Sequence, residues 1–372
     1  MGKNILITGG AGFIGAHAAN ELLAHGYAVR ALDSLVPQVH GPDVRRPDYL
    51  SPEVDLLIGD IRDAGLLARA LHGIDAVVHL VALVGVGQSM YRIGEYTAVN
   101  NLGTAALWEE LSTHPVECVV VASSMSIYGE GLYRDQEGRI REARPRPLDQ
   151  LKRGDWEIYD EEGRPLTPVA TPEEKPPALA SVYALSKFDQ ERMCLMLGGA
   201  YGIPAVALLF FNTYGPYQAL SNPYTGVLSN FASRVLNGNP PLIYEDGLQM
   251  RDFVSVYDVA RACRLALETP AAGGCAFNIS SGEPMTVKEV AARTVRAIGR
   301  GEIEPAITGK YRAGDIRHCF ADISRAREVL GWAPQVTLER GLEDLACWLQ
   351  GQTAVDRAVE ARAELAARGL MV

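Results

Sequence analysis

Apolar runs of strand length alternate along the chain with stretches of helical period. Residues 4–8 (NILIT) open the series, and a glycine-rich turn follows. A helix is expected from about residue 16 to residue 25, where Gly26 ends it. Further apolar runs lie at 28–32, 54–58, 76–80, 118–122 and 206–210. Strands that are apolar throughout are buried on both faces, so the alternation predicts an α/β fold. The expected architecture is a doubly wound parallel sheet with helices on both sides and right-handed crossovers.

Two regions break the pattern. Residues 131–178 are polar and carry seven prolines between Pro145 and Pro177, with Asp160-Glu161-Glu162-Gly163 among them. Trp156 and Tyr159 argue for order there. The stretch reads as an insertion with a short hairpin, near the mouth of a site. At the C-terminal end, Val355, Ala358, Val359, Leu365 and Ala366 recur at helical spacing, interrupted by Arg362, and predict an amphipathic helix.

Composition narrows the classes. The chain has 372 residues, 48% hydrophobic and 22% charged, with a formal net charge of −10. That length supports a large core or two modest domains. A nucleic-acid binder would show a basic surplus, so no nucleic-acid partner is expected. No stretch is apolar enough for a membrane helix, and no signal peptide is read at the start, so a cytoplasmic, membrane-free protein is expected. The six cysteines form no C-x-x-C pair, and no metal site is expected.

Candidate chemistry begins in the first turn, Thr8-Gly9-Gly10-Ala11-Gly12-Phe13-Ile14-Gly15. Gly10, Gly12 and Gly15 fit G-x-G-x-x-G between a strand and a helix, a turn that lets backbone approach a pyrophosphate. Asp33 ends the second strand, where a carboxylate can accept from both ribose hydroxyls of NAD and repel the phosphate of NADP. The alternative is a plain turn aspartate. Asp60 and Ile61 end the third strand, placed to meet the adenine amino group and ring.

Tyr183 and Lys187 stand four apart, on one face of a helix. A free phenol titrates at about 10, and bringing it to about 7 takes roughly 4 kcal/mol. The neighbouring ammonium and an oxidised nicotinamide ring both act in that direction. Tyr183 would then take a proton from a sugar hydroxyl as hydride leaves carbon. The competing reading is a Tyr and a Lys on a solvated helix face. The fifth strand weighs against it. It runs into Ser123-Ser124-Met125-Ser126-Ile127-Tyr128-Gly129, and Ser124 at its C-terminal end would enter the same crevice. Asn100 can brace the catalytic helix.

With these motifs in place, the chain resembles the extended short-chain dehydrogenase/reductases, the NAD-dependent nucleotide-sugar epimerases and dehydratases. The likeness rests on TGGAGFIG at 8–15, GDIRD at 59–63, HLVA at 79–82, NNLGT at 100–104, SSMSIYG at 123–129, YALSK at 183–187, FFNTYGP at 210–216, RDFVSVYDVA at 251–260 and RAGDIRH at 312–318. It implies a Rossmann-type NAD domain over 1–212 and 253–282, and a smaller α/β substrate domain over 213–252 and 283–372. It also implies a homodimer packed through the Tyr-Lys helix. By the same resemblance Gly9, Gly12, Phe13, Ile14, Gly15, Asp33, Asp60, Ile61, Leu80, Ala82, Asn100, Tyr183 and Lys187 would hold NAD. Ser124, Ser126, Asn212, Tyr224, Arg251, Arg312 and Asp315 would meet the substrate. Asp315 would support Arg312 or a ribose, and for each charged residue a surface ion pair is the alternative.

The 4,6-dehydratases of this family carry Thr-Asp-Glu before the strand-end tyrosine. Here Ser124, Met125 and Ser126 stand instead, so water loss lacks its acid and base. That leaves hydride removal and return at C4, the 4-epimerase reaction. The segments 217–227, 131–178 and 245–247 resemble most the dTDP-L-rhamnose 4-epimerases, which form dTDP-6-deoxy-L-talose. UDP-glucose and UDP-glucuronate 4-epimerases come next, and a net dehydrogenase or a non-catalytic NAD sensor after them.

Overall fold

The computed structural model describes residues 2–224, 226–311 and 315–371. Seven strands form one parallel sheet: β1 Asn4–Thr8, β2 Ala28–Asp33, β3 Asp55–Ile58, β4 Ala76–His79, β5 Cys118–Ser124, β6 Ala205–Phe210 and β7 Ala276–Ile279. The order across the sheet is β3-β2-β1-β4-β5-β6-β7. Every neighbouring pair is parallel. The chain reverses its winding between β1 and β4, and ligand crevices open at such points.

Side-chain alternation along the strands builds two cores. Ile5, Ile7, Val29, Ala31, Val78, Val120, Val206 and Leu208 point to one face. There they meet α1 (Phe13–Ala24) through Ala16, Ala19 and Leu22, and a later helix, Val256–Glu268, through Val259 and Cys263. Leu6, Leu32, Val77, Val119, Val121 and Ala207 point to the other. That face is covered by α2 (Ala64–Leu71), α3 (Gly103–Thr113) and α4 (Val182–Tyr201). Burying one large apolar side chain stabilises the fold by about 1.5–3 kcal/mol, and both layers are continuous. The first helix begins at Phe13, earlier than residue 16, because Gly12 and Gly15 permit a tight entry.

The smaller lobe is built on short strands. Asn212–Tyr214 runs parallel to Met250–Ser255, which pairs antiparallel with Pro284–Thr286. Leu242–Ile243 pairs with Ala306–Ile307. Helices α5 (Val227–Leu236), α6 (Val287–Ala297) and α7 (Leu338–Leu349) close its core through Leu228, Ala232, Val290, Leu342 and Leu345. A capping box of Thr286 and Glu289 starts α6. Residues 319–332 depart from the sequence division: Cys319, Ala321, Ile323, Leu330 and Trp332 pack into the large core, and Trp332 Nε1 donates to Asp258 O at 3.0 Å. An aromatic stack joins the lobes. The Tyr217 ring lies against His17 at 4.9 Å and Tyr49 at 4.8 Å, and Tyr49 donates to Ala11 O at 2.8 Å.

The insertion holds more than a hairpin. Leu132–Arg134 pairs antiparallel with both Ile140–Glu142 and Thr167–Val169, and a helical turn follows at Leu148–Lys152. The terminal helix α8 is Ala358–Ala367. Its buried stripe is Ala361 and Leu365, while Val355 and Val359 are exposed, so the face differs from the one the spacing predicted. Among the described residues, no helix is long and apolar enough to cross a membrane.

Candidate active site

A cavity of about 970 Å³ opens at the C-terminal ends of the strands, between the lobes. Gly9, Gly12, Phe13, Ile14 and Gly15 line it. Gly9 takes φ 73°, and a Cβ there would lie 2.9 Å from Val81 N. A Cβ on Gly15 would lie 2.3 Å from Gly9 O. Gly12 caps α1 without a side-chain bond, so the first-turn N–H groups meet the cavity uncapped. Such a helix start binds phosphate through its donors and its dipole.

Asp33 lines the cavity at the end of β2, accepting from Ala11 N at 3.1 Å and Leu35 N at 2.9 Å. A carboxylate has four acceptor sites, so each oxygen keeps capacity for a hydroxyl. Asp60 is on the wall too, but its carboxylate is forked by Arg62, which holds its pKa down. Ile61, Leu80 and Ala82 complete the apolar lining. Glycine cradle, uncapped helix start and ribose-side carboxylate together fit a dinucleotide.

Asn100 is not on that wall. It is fully buried in a π-helical stretch, Thr97–Leu102, donating to Leu83 O at 3.1 Å and Ser186 Oγ at 2.9 Å and accepting from Leu83 N. Its amide is consumed inside the protein. It therefore braces the loop after β4 and the catalytic helix, with no contact to the cavity.

Ser181 caps α4, its hydroxyl accepting from Ala184 N at 3.0 Å. One turn of this helix then separates Tyr183 from Lys187, and both reach the cavity with Ser124 and Ser126. Ser124 Oγ accepts from Ser126 N at 3.2 Å, where β5 turns into a short 3₁₀ segment. Lys187 Nζ donates to Gln190 Oε1 at 2.7 Å. Burial lowers the Lys187 pKa to about 8. Tyr183 differs from expectation: burial raises its pKa, and the opposing influence is a hydrogen bond from Ser124, not the Lys187 charge.

On the substrate side, Asn212, Tyr224, Arg251 and Asp315 all line the cavity. Asn212 donates to Asp252 O at 2.9 Å. Tyr224 meets Tyr91 and Glu364, each at 2.7 Å. Arg251 donates to Met250 O, Arg317 O and Ile316 O, which ties it to the 316–317 backbone and uses three of its five N–H groups. Arg312 lies outside the described residues. The insertion stands one layer behind. Arg146 donates to Asp315 O at 2.9 Å and pairs with buried Glu245, which also meets fully buried Arg317.

Three functional features escaped the sequence. Gln190 anchors Lys187 and also donates to Thr104 Oγ1, which contacts His79. Gln218 and Gln249 line the cavity, and each has a buried side-chain oxygen with no partner among the described residues. So does Ser126 through its Oγ. Single glutamines carry no spacing signal. The i, i+3 relation of Lys187 and Gln190 was the one available clue.

The model of the NAD dependent epimerase/dehydratase family matches residues 5–150 and 156–280. The dTDP-L-rhamnose 4-epimerase of Burkholderia thailandensis is 35% identical over 94% of this chain and 95% of its own length. The solved UDP-glucose 4-epimerase of Thermotoga maritima, with UDP-glucose, superposes with a TM-score of 0.75 at 29% identity, covering 93% of this chain and 98% of that one. MoeE5, solved with UDP-glucuronic acid and NAD, gives 0.73 at 31% identity over 93% and 99%.

Proposed function

The chain belongs to the NAD-dependent epimerase/dehydratase family, and on that premise we propose that it inverts C4 of dTDP-L-rhamnose to give dTDP-6-deoxy-L-talose. At the coarser level it is an NAD-dependent nucleotide-sugar 4-epimerase, an isomerase. The observation that carries the C4 reading is the wall formed by Ser124, Tyr183 and Lys187 with Met125 and Ser126 beside it. Proton transfer at a hydroxyl is provided for. Elimination of water is not, since neither Met125 nor Ser126 is an acid.

The glycine turn, Asp33, Tyr183 and Lys187 line the cavity that would hold NAD, which when bound would supply acceptance of the C4 hydride and its return to the opposite face of the ring. Tyr183 Oη accepts the C4 hydroxyl proton as the 4-keto sugar forms, and gives it back on reduction. Ser124 favours the ionised Tyr183 through its hydrogen bond and can hold the same sugar oxygen. The Lys187 ammonium, anchored by Gln190, holds positive charge at the floor of the site. A cationic nicotinamide ring, when bound, would favour the ionised form of Tyr183. The buried oxygens of Ser126, Gln218 and Gln249 offer contacts to hydroxyls or a base.

The named relative supports the dTDP-sugar assignment. A second reading, UDP-glucose or UDP-glucuronate as substrate, is favoured by the solved neighbours holding those ligands. A homodimer is part of the proposal: Leu102, Leu185 and Met196, at α3 and along α4, are large, apolar and exposed.

Incubation with dTDP-, UDP- and GDP-sugars in deuterated water, followed by proton NMR, tests the reading. A C4 epimer of dTDP-L-rhamnose free of deuterium is expected. A stable 4-keto product, or deuterium at C3 or C5, defeats C4 inversion by hydride return. Turnover of UDP-sugars alone moves the substrate assignment to the second reading.

A further inference from the structure

Four arginines are on the cavity wall among the described residues: Arg62, Arg234, Arg251 and Arg362. Three are engaged. Arg62 forks Asp60, Arg234 pairs with Asp356 at 2.8 Å, and Arg251 is occupied by three carbonyls. Arg362 has no carboxylate partner among the described residues. It is half-buried, and its guanidinium lies 5.7 Å from the centroid of the Tyr244 ring, at the substrate-lobe end of the cavity. In a chain of net charge −10, a half-buried arginine that faces a cavity and has no carboxylate partner among the described residues fits a bound anion.

The helix that carries it, α8, is firmly placed. Just before it Asp356 accepts from Ala358 N at 3.1 Å, and the same carboxylate binds Arg234 and Asn239. Val355 N donates to Ser221 Oγ at 3.0 Å. Tyr224 OH donates to Glu364 at 2.7 Å, and the Arg368 guanidinium lies 4.2 Å over Tyr91. Leu365 sits on Gly87, where a Cβ would be 3.2 Å from its methyls. The helix therefore bridges the loop after β4 and the smaller lobe, and Ala358, Ala361, Arg362 and Leu365 form one side of the cavity.

We propose that α8 completes the substrate cavity and that Arg362 binds the diphosphate of the nucleotide sugar. The inference rests on the nucleoside-diphosphate-sugar reading above. A diphosphate carries two or more negative charges and offers the planar guanidinium paired oxygens. The Tyr244 ring holds the guanidinium by a cation–π contact without neutralising it.

The test compares wild type, Arg362→Met and Arg362→Lys, using UDP and dTDP as probes. Calorimetry gives Kd, and bound NAD is counted after gel filtration. Arg362→Met is expected to raise the Kd of both probes, and the KM of the nucleotide sugar, by about tenfold or more, with kcat within about twofold and NAD content unchanged. Arg362→Lys should recover part of the loss. Unchanged Kd in Arg362→Met, or a fall in kcat with KM unaltered, overturns the proposal. If wild type binds neither probe, the substrate reading itself fails. If wild type binds both and Arg362→Met binds them equally, only this inference fails.

Discussion

Lys187 is held in place by a neighbour that no motif names. Its ammonium donates to Gln190, which is fully buried and held in turn by Thr104. A hydrogen bond to a charged group contributes about 1.5–3 kcal/mol, so Gln190→Leu should lower kcat by about ten- to a hundredfold. Gln190→Glu, which keeps an acceptor, should restore much of it. Steady-state kinetics checks this, and an unchanged kcat in Gln190→Leu would mean that the helix alone places Lys187. His79, in the same chain of hydrogen bonds, titrates at about 3 because it is buried. The unfolded histidine takes a proton below about 6.5 while the native one resists to about 3, so stability falls as pH drops through that window. At pH 5 the loss is about 2 kcal/mol from His79, and His17, lowered to about 4, adds a loss of the same sign. Urea unfolding at pH 7.5 and pH 5 measures it, and equal stabilities would refute it. Residue types at fixed spacing made Tyr183, Lys187, Ser124 and Asp33 legible in the sequence. Gln190, Gln218 and Arg362 were not legible, because what marks them is a partner, or the lack of one, in space. Arg362 even read as a flaw in an amphipathic stripe.

At the level of elements, the strands announced themselves, since a short run that is apolar on both faces fits the middle of a covered parallel sheet and little else. Their ends moved by a residue or two, and β7 did not stand out because the buried polar Asn278 interrupts its short apolar run. The glycine turn was readable because each glycine answers a steric demand. Gly15→Val would drive a side chain into Gly9 O, already 2.3 Å from a modest Cβ. It should push α1 off β1 and abolish NAD retention, read as loss of bound dinucleotide after gel filtration. Full retention would mean that the turn can yield without losing its ligand. The insertion shows the limit of pattern reading. Its three short strands are local, but what orients it is a buried set of charges, Arg146, Glu245 and Arg317, drawn from positions far apart in sequence. No periodicity encodes such a meeting.

Taken whole, the molecule is two lobes held across one cleft, with the terminal helix α8 spanning both. Residues 319–332, placed with the smaller lobe by the sequence reading, pack in the large core, where Trp332 and its neighbours complete a layer that the β7 region leaves open. The aromatic stack carries a consequence for how the coenzyme is kept. Tyr217 of the smaller lobe lies between His17 on α1 and Tyr49, whose hydroxyl holds the carbonyl of Ala11 in the glycine turn. Opening that turn means breaking the Tyr49 bond or pulling the stack apart. The stack thus acts as a latch against departure of the dinucleotide. An enzyme that sends its hydride back every cycle has no need of such exchange, and its coenzyme can be a permanent resident while sugars come and go.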